Sequence, residues 1–145
     1  DLSTTIFRSG TPVTANVVAL GKAFELATGK LNERSNYIKK LNIRLREEFK
    51  SISCIHINSP ESSIPNTLNI SLIGKDTKKV LKQLEESGIY LSTTTACALG
   101  SAPSKSVMAI TGSEELASNT IRISMSHLTK MEDIEYFIKK FKSFL

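Results

Sequence analysis

One of the two cysteines of the chain, Cys97, lies in the segment TTTACALGSAPS (residues 93–104), which consists almost entirely of small residues. The segment shows neither helical nor strand periodicity, and Gly100 and Pro103 interrupt it, so we expect a loop. A structural cysteine usually packs as a small apolar residue in a core, whereas a thiol on such a loop can be kept for its reactivity. Both interpretations of Cys97 are open on this segment alone.

The other candidate metal ligands or bases are Cys54, His56 and His127. Structural zinc sites use paired spacings such as C-x₂₋₄-C and H-x₃₋₅-H, and these residues together with Cys97 do not fit them. Cys54 and His56 share one face of a predicted strand, so we expect Cys54 in the core and His56 at an edge or the surface. A nucleophile–base pair of Cys97 and His127 stays open, because separation along the sequence does not give distance in space.

Arg122 lies in the middle of a predicted strand, between Ile121 and Ile123. A strand arginine that faces solvent is common and has no special role. If Arg122 instead faces a cleft, its planar guanidinium suits a carboxylate that is held through two hydrogen bonds. No glycine-rich phosphate-binding loop of the Walker or Rossmann type accompanies it.

The formal net charge of +5 raises the question of nucleic-acid binding. The lysines are dispersed along predicted helices, with carboxylates such as Glu47 and Glu85 among them, which is typical of solvated helix faces. We therefore expect no nucleic-acid partner.

The length of 145 residues is that of one domain with a single core. No apolar run approaches the ~20 residues that span a bilayer, and the first residues do not resemble a signal peptide, so we expect no membrane partner. Two cysteines do not suggest a disulfide scaffold, and they favour the reducing cytoplasm.

The elements that position Cys97 and Arg122 are predicted from periodicity and end signals. A long helical pattern follows Pro12, and Gly29 is expected to mark a kink or a shift of its apolar face. Asp76 is expected to cap a helix that ends at Gly88. Pro103 is expected to open a short helix through Ile110. A capping box of Thr129 and Glu132 is expected to start the last helix.

Four segments have the alternation or the β-branched composition of strands: residues 52–57, 67–73, 89–92 and 120–126. The predicted order of elements is α–β–β–α–β–loop–α–β–α. It predicts an α+β fold with a small, mainly antiparallel sheet of about four strands, helices packed on one face, and a long helix in front.

Four pieces of the sequence occur in an order that resembles one family. They are RSGTP (8–12) leading into VVALGKAFELA (17–27), IPNTLNIS (64–71), STTTACALGSAPSKSVMAI (92–110) and ELASNTIRISMS (115–126). Together they resemble the C-terminal part of the cysteine desulfurases, which are pyridoxal-phosphate enzymes of aminotransferase fold type I (class V). The resemblance covers nearly the whole chain.

The resemblance implies a role for three residues. Cys97 in TACAL matches the nucleophilic cysteine, which takes sulfur from L-cysteine as a persulfide and leaves alanine. Arg122 in TIRIS matches the arginine that binds the substrate carboxylate. Thr11 in RSGT matches the threonine that reaches the cofactor phosphate of the neighbouring subunit. The implied cofactor is pyridoxal phosphate (PLP), and the implied partners are L-cysteine, a sulfur-acceptor protein and a second subunit.

The chain also departs from the family pattern. Thr93, Thr94 and Thr95 replace the usual Ser/Gly residues before the cysteine, and Ala98 and Leu99 replace a polar pair after it. These changes leave the nucleophile in place and bear on which sulfur acceptor the loop meets.

The lysine that binds PLP covalently in the family, and the histidine that stacks on its ring, belong upstream of the matched region. The expected organisation is a C-terminal fragment with an interdomain helix region (1–50) and a small α+β domain (51–145), without the cofactor domain. We expect the fragment alone to bind no PLP and to be inactive, and the apolar face of its first helix to pack on a neighbouring copy or to fray. The alternatives are a selenocysteine lyase of the same fold and a non-catalytic interaction or sulfur-carrier module.

Overall fold

The computed structural model describes residues 12–93 and 102–145. Within those ranges the chain forms the helices α1 (Thr14–Gly29), α2 (Leu31–Lys50), α3 (Thr77–Glu86), α4 (Lys105–Thr111), α5 (Glu114–Ser118) and α6 (Met131–Phe144), and the strands β1 (Ile55–Ile57), β2 (Thr67–Leu72) and β3 (Thr120–Ser124). The chain divides into two compact units between Glu33 and Arg34. Over the described ranges, no helix has the length and apolar character needed to cross a membrane.

The first unit contains α1, which is apolar on several sides and carries no buried residue. Val17, Leu20 and Phe24 are 62%, 70% and 69% exposed. The long predicted helix is interrupted where Gly29 suggested a break, because α1 ends at Gly29 and α2 begins at Leu31.

The second unit is built on an antiparallel sheet in the order β1-β2-β3. The expected fourth strand at 89–92 is reduced to a single bridge between Ser92 and Arg122 on the free edge of β3. The reason is the turn that ends α3, where Gly88 has a φ of 77° and Ile89 N still donates to Leu84 O at 2.9 Å. Only Ser92 therefore comes into register with β3. The α+β fold with a small antiparallel sheet agrees with the prediction.

The strand β1 is shorter than the predicted segment 52–57. Ile52 N donates to Phe49 O and Ile55 N donates to Ile52 O, so residues 52–54 form turns that follow α2. The ladder nevertheless continues beyond the strand, because Ile73 N donates to Cys54 O at 2.8 Å.

The core lies on one face of the sheet. Strand alternation places Leu68, Ile70 and Leu72 of β2 on this face, opposite Ile121 and Ile123 of β3. Three helices cover it with these buried residues: Leu41, Leu45 and Phe49 of α2, Val80 and Leu84 of α3, and Ile134, Phe137, Ile138 and Phe141 of α6. The three phenylalanines of this set pack together with ring centroids 5.2 to 6.2 Å apart.

Helix starts show where local signals were sufficient. Asp76 caps α3 as predicted, and its Oδ1 accepts from Lys79 N at 3.1 Å. For α4 the predicted first residue, Pro103, was wrong by two positions. The helix begins at Lys105, and Ser104 is its N-cap, whose Oγ accepts from Val107 N.

The predicted capping box of α6 was displaced by one residue. Lys130 is the N-cap, and its backbone N donates to Asp133 Oδ2 at 2.8 Å, so Asp133 takes the place expected for Glu132. The Thr129 hydroxyl is used elsewhere, since it accepts from Ser126 N at 3.0 Å in the preceding turn.

An ion-pair cluster ties α2 to α6 at the surface. Arg44 bonds Glu135 at 2.6 Å and Glu48 at 2.9 Å, and Lys142 bonds the other Glu48 oxygen at 2.6 Å. The hydrogen bond from Lys142, followed by that from Arg44, lowers the pKa of the Glu48 carboxyl. The hydrogen bonds from Arg44 to Glu135 and Glu48 raise the pKa of Arg44.

We predict that Ile70→Ala lowers the free energy of unfolding by about 2–5 kcal/mol, because it opens a cavity at a fully buried position of the central strand. Ile64→Ala is the matched control, since Ile64 is 68% exposed, and its loss should stay within about 0.5 kcal/mol. Urea unfolding followed by circular dichroism measures both. Equal losses would contradict the placement of the core.

We predict that Glu48→Gln lowers stability at pH 7 by about 1 kcal/mol or less, since the cluster is partly solvated. A carboxyl whose pKa is lowered by folding stabilises the protein above its unfolded pKa, and this contribution is lost as the pH falls through the folded pKa. The difference between wild type and variant should therefore disappear in acid. Glu47→Gln, at an exposed neighbouring carboxylate, is the control in the same urea experiments. A difference between wild type and Glu48→Gln that persists at low pH would refute the assignment.

Candidate functional site

The face of the sheet opposite the core is polar. The alternation that buries Leu68 and Ile70 places Asn69 on this face, and Asn69 is paired across β2 and β3 with Arg122. Arg122 is in turn bridged to Ser92. On the other side of β2, Asn58 N donates to Asn69 O at 2.9 Å, one residue beyond the last β1–β2 pair. These four residues, Asn58, Asn69, Arg122 and Ser92, form a row across the sheet that we refer to as the polar row.

The backbone of Arg122 faces Ser92 and not β2. Arg122 N donates to Ser92 O at 2.6 Å, and Ser92 N donates to Arg122 O at 3.4 Å. Asn69 and Arg122 therefore form a non-hydrogen-bonded antiparallel pair, the type in which opposite side chains lie closest, with Cα atoms about 4.5 Å apart. The register thus brings the Asn69 and Arg122 side chains together on the polar face.

The Arg122 side chain is half-buried, and its Nε is fully buried without a hydrogen-bond partner. Among the described residues no carboxylate forms an ion pair with it. A buried donor without a partner is destabilising by roughly 1–3 kcal/mol, and a guanidinium in this state can bind a carboxylate through two parallel hydrogen bonds. A buried, unpartnered Nε favours the interpretation that Arg122 faces a cleft over the interpretation that it is a solvated strand arginine.

A series of side-chain hydrogen bonds connects this face of the sheet to α5. Asn58 Nδ2 donates to Asn69 Oδ1 and to Ser71 Oγ, both at 2.7 Å, and Ser71 Oγ donates to Leu116 O of α5, also at 2.7 Å. Asn58 and Ser71 are 5% and 0% exposed. Sequence reasoning missed both asparagines as site residues. Asn69 could have been found as the polar residue between Leu68 and Ile70, whereas Asn58 follows a strand and carries no such signal.

The segment that leads towards Cys97 is fixed to β3. The Thr120 hydroxyl donates to Thr93 O at 2.8 Å, one residue after the Ser92 bridge. On the far side, Ser104 N donates to Ala117 O at 2.8 Å. Cys97 itself and the predicted phosphate-contacting residue Thr11 lie outside the described residues. What is fixed is that the chain enters the cysteine segment directly beside Arg122.

The remaining candidates are not brought together with Arg122 by any described contact. Cys54 is a half-buried free thiol, and His56 is exposed on the edge strand β1. His127 is exposed in the turn before α6. None of these three takes part in the polar row.

The described residues do not themselves form a PLP site. A lysine that holds PLP covalently must lie in a pocket, but every lysine in the two described ranges is exposed except Lys140. Lys140 is half-buried and lies over the Tyr136 ring, 5.8 Å from its centroid, on the outer side of α6.

We predict that Thr120→Val loosens the entry to the cysteine segment. Loss of one hydrogen bond of about 1 kcal/mol should accelerate hydrogen exchange at the Ser92 and Thr93 amides about fivefold, while core amides of β2 keep their protection. Thr67→Val is the matched control, because Thr67 lies on the same face and its hydroxyl bonds none of the described residues. An unchanged exchange rate at Ser92 would contradict the anchoring role.

The comparisons of the sequence and of the structure with known proteins both find cysteine desulfurases or NifS-like proteins. A family model described as Aminotransferase class-V matches residues 2–137. The cysteine desulfurase IscS of Buchnera aphidicola subsp. Baizongia pistaciae is 34% identical over 134 residues, which cover 91% of this chain and 33% of the relative. The cysteine desulfurase IscS of Clostridium botulinum (strain Hall) is 34% identical over 137 residues, or 91% of this chain and 34% of the relative.

Among solved structures, a NifS-like protein from Rickettsia africae matches with a TM-score of 0.74 and 30% identity, over 94% of this chain and 36% of that one. The cysteine desulfurase CsdA of Escherichia coli matches with a TM-score of 0.68 at 18% identity, over 94% of this chain and 31% of that one, and so shares the fold. The chain spans about a third of the length of these relatives. With a family match over most of its length, and with cysteine desulfurases as its relatives, the chain belongs to the class-V aminotransferase family.

Proposed function

We propose that this chain is the C-terminal part of a longer PLP-dependent cysteine desulfurase, with residues 1–50 as the interdomain helix region and residues 51–145 as the small domain, whose core α2 of the helix region helps to cover. The substrate is L-cysteine, and the products are alanine and a persulfide on Cys97. One observation carries the proposal: a buried guanidinium Nε, unpartnered within the described residues, lies on the strand to which the cysteine segment is anchored. The desulfurase relatives support the reaction class.

Arg122 is proposed to bind the substrate carboxylate. A planar guanidinium that bonds both carboxylate oxygens fixes the orientation of the amino acid, and such fixed orientation converts binding energy into reactive geometry. The Ser92 bridge holds Arg122 at the entry to the cysteine segment. The carboxylate end of the substrate and the attacking thiol would then approach from neighbouring points of the same fold.

Cys97 is proposed to take the sulfur by direct displacement. The Cys97 thiolate attacks the substrate Sγ, an S–S bond forms, and the substrate Cβ–Sγ bond breaks. The electron pair of the broken bond stays with the carbon skeleton, which takes up one proton and leaves as alanine. PLP, when bound, supplies the electron sink that makes such substrate chemistry accessible, and Thr11 is proposed to reach its phosphate in the neighbouring subunit of a homodimer.

The small residues around Cys97 give the second half of the function a physical basis. A persulfide must form at the substrate site and then reach a sulfur-acceptor protein. Thr93 O and Ser104 N, at the two ends of the segment, are hydrogen-bonded to the rest of the fold. We propose that the segment between them carries the sulfur from one position to the other as an ordinary gating step. We place the protein in the reducing cytoplasm, where a thiol carrier stays available.

The test uses the full-length protein that contains this chain, loaded with PLP and given L-cysteine. Thiols are trapped by alkylation, and the additional sulfur is located by peptide mass spectrometry. We expect alanine formation and a persulfide on Cys97, both lost in Cys97→Ser. Cys54→Ser is the matched control, because Cys54 is the other cysteine of the chain and should leave both products unchanged.

Three other results would each remove the proposal. Alanine that still forms in Cys97→Ser would point to a lyase that does not need this thiol. Turnover of selenocysteine in preference to cysteine would identify a selenocysteine lyase. An absence of alanine in the wild type would leave a non-catalytic module.

A further inference from the structure

We infer that Asn69 is a second ligand of the substrate carboxylate beside Arg122, and that Asn58 is a positioning residue that turns the Asn69 amide towards it. The inference rests on the proposed function for the identity of the substrate. The chemistry that it requires is a carboxylate on the polar face of the sheet.

The direction of the Asn69 amide follows from a chain of hydrogen bonds that starts at a backbone carbonyl. Leu116 O can only accept, so the single proton of the Ser71 hydroxyl is directed to it. Ser71 Oγ must then accept from its other neighbour, which makes Asn58 Nδ2 the donor there. The second Nδ2 proton of Asn58 goes to Asn69, whose oxygen Oδ1 accepts it. Each step in this chain leaves one orientation for the next group.

The consequence is that the amide nitrogen of Asn69 faces away from Asn58. An amide carries its oxygen and its NH₂ group on opposite sides, and the oxygen is already directed to Asn58. Asn69 Nδ2 forms no hydrogen bond with the described residues. Its neighbour on the far side from Asn58 is Arg122, its cross-strand partner in the non-hydrogen-bonded pair.

Two residues with donor groups that have no acceptor among the described residues are therefore direct cross-strand neighbours on the polar face. The guanidinium of Arg122 and the NH₂ group of Asn69 cannot bond each other, because neither has an acceptor to offer. A carboxylate has two oxygens that can each accept two hydrogen bonds, and it can satisfy both donor groups at once. The Asn69 amide oxygen could in principle accept a hydrogen bond from Arg122. It is instead directed to Asn58, because Leu116 O fixes the direction of every bond in the series.

The two orphaned buried atoms of the described residues both belong to this row. They are Asn58 Oδ1 at one end and Arg122 Nε near the other. A buried polar group without a partner is rare in native proteins and destabilising, yet the orientation of Asn58 that leaves its oxygen unpaired is the one that directs Asn69. An unpaired buried oxygen is expected where a side chain serves to orient its neighbour and not to add stability.

The experiment measures binding, not turnover. Calorimetric titrations of the full-length PLP-loaded protein use two probes, neither of which has an amine that could react with PLP. They are 3-mercaptopropionate, which has the carboxylate, and 1-propanethiol, which has a thiol and a chain of similar length without the carboxylate. We expect Asn69→Ala to weaken the binding of 3-mercaptopropionate by roughly tenfold or more, the effect of one hydrogen bond to a charged group. The binding of 1-propanethiol should be unchanged.

The variants form a graded series with an internal control. Asn58→Ala should weaken the binding of 3-mercaptopropionate by a smaller factor, about two- to fivefold, because the Asn69 amide remains but is free to turn. Ser71→Ala removes the link that fixes the Asn58 amide, so it should weaken the binding of 3-mercaptopropionate by a factor similar to that of Asn58→Ala. Thr67→Val is the control with wild-type affinity, because Thr67 lies on the same face of β2 and its hydroxyl bonds none of the described residues. Thermal unfolding of each variant verifies that it is folded at the titration temperature.

The inference is overturned if Asn69→Ala keeps wild-type affinity for 3-mercaptopropionate, or if it weakens both probes equally, as a purely structural role would. An Asn58→Ala variant that binds like wild type removes the positioning role of Asn58. Failure of the proposed function is distinguished from failure of this inference by a different measurement: the wild-type protein would then make no alanine and no persulfide. The binding titrations would still report on Asn69 in that case.

Discussion

The strict alternation of side chains along β2 and β3 is the constraint on which the rest of the structure depends. Because successive residues of a strand point to opposite faces, Leu68 and Ile70 enter the core and Asn69 cannot. The same register places Arg122 opposite Asn69. The apolar face is stabilised by three helices, and this stabilisation holds the polar face in a fixed geometry. A slip of one residue would exchange the two faces and remove both the core and the site.

The free edge of β3 connects this sheet to the cysteine segment. Edge strands have unpaired backbone groups that invite further pairing, and here Ser92 occupies the position opposite Arg122. A full fourth strand would lengthen the pairing, but the turn after α3 leaves only one residue in register. Thr93, the last described residue before the cysteine segment, therefore lies one position beyond the bridge to Arg122. Under the proposed function, this one backbone bridge would link the carboxylate site to the segment that carries the thiol.

Local signals in the sequence were sufficient wherever one residue decides the outcome. The Asp76 cap, the break after Gly29 and the alternation of β2 and β3 were all predicted. The errors arose where neighbours compete, since α4 begins after the Ser104 N-cap and not at Pro103, and Asp133 took the place expected for Glu132. The short helix α5 was not predicted, and it supplies the carbonyl of Leu116 that sets the polarity of the network.

The asparagines of the polar row show why the site was only half predictable. Arg122 was a candidate because its chemistry is visible in one residue type, and the resemblance then gave it a role. Asn58 and Asn69 are eleven residues apart in the chain, and their hydrogen bond with its direction exists only once β1, β2 and α5 have assembled. A long-range polar network leaves no periodic pattern for sequence reasoning to detect.

The central claim is that the polar row holds the carboxylate of an amino acid beside the cysteine segment. A crystal structure of the full-length PLP-loaded protein with L-alanine bound tests it most directly. We expect the alanine carboxylate within about 3 Å of the Arg122 guanidinium and of Asn69 Nδ2. A carboxylate that is bound elsewhere, with Arg122 paired to an acidic side chain from the rest of the protein, would contradict the claim.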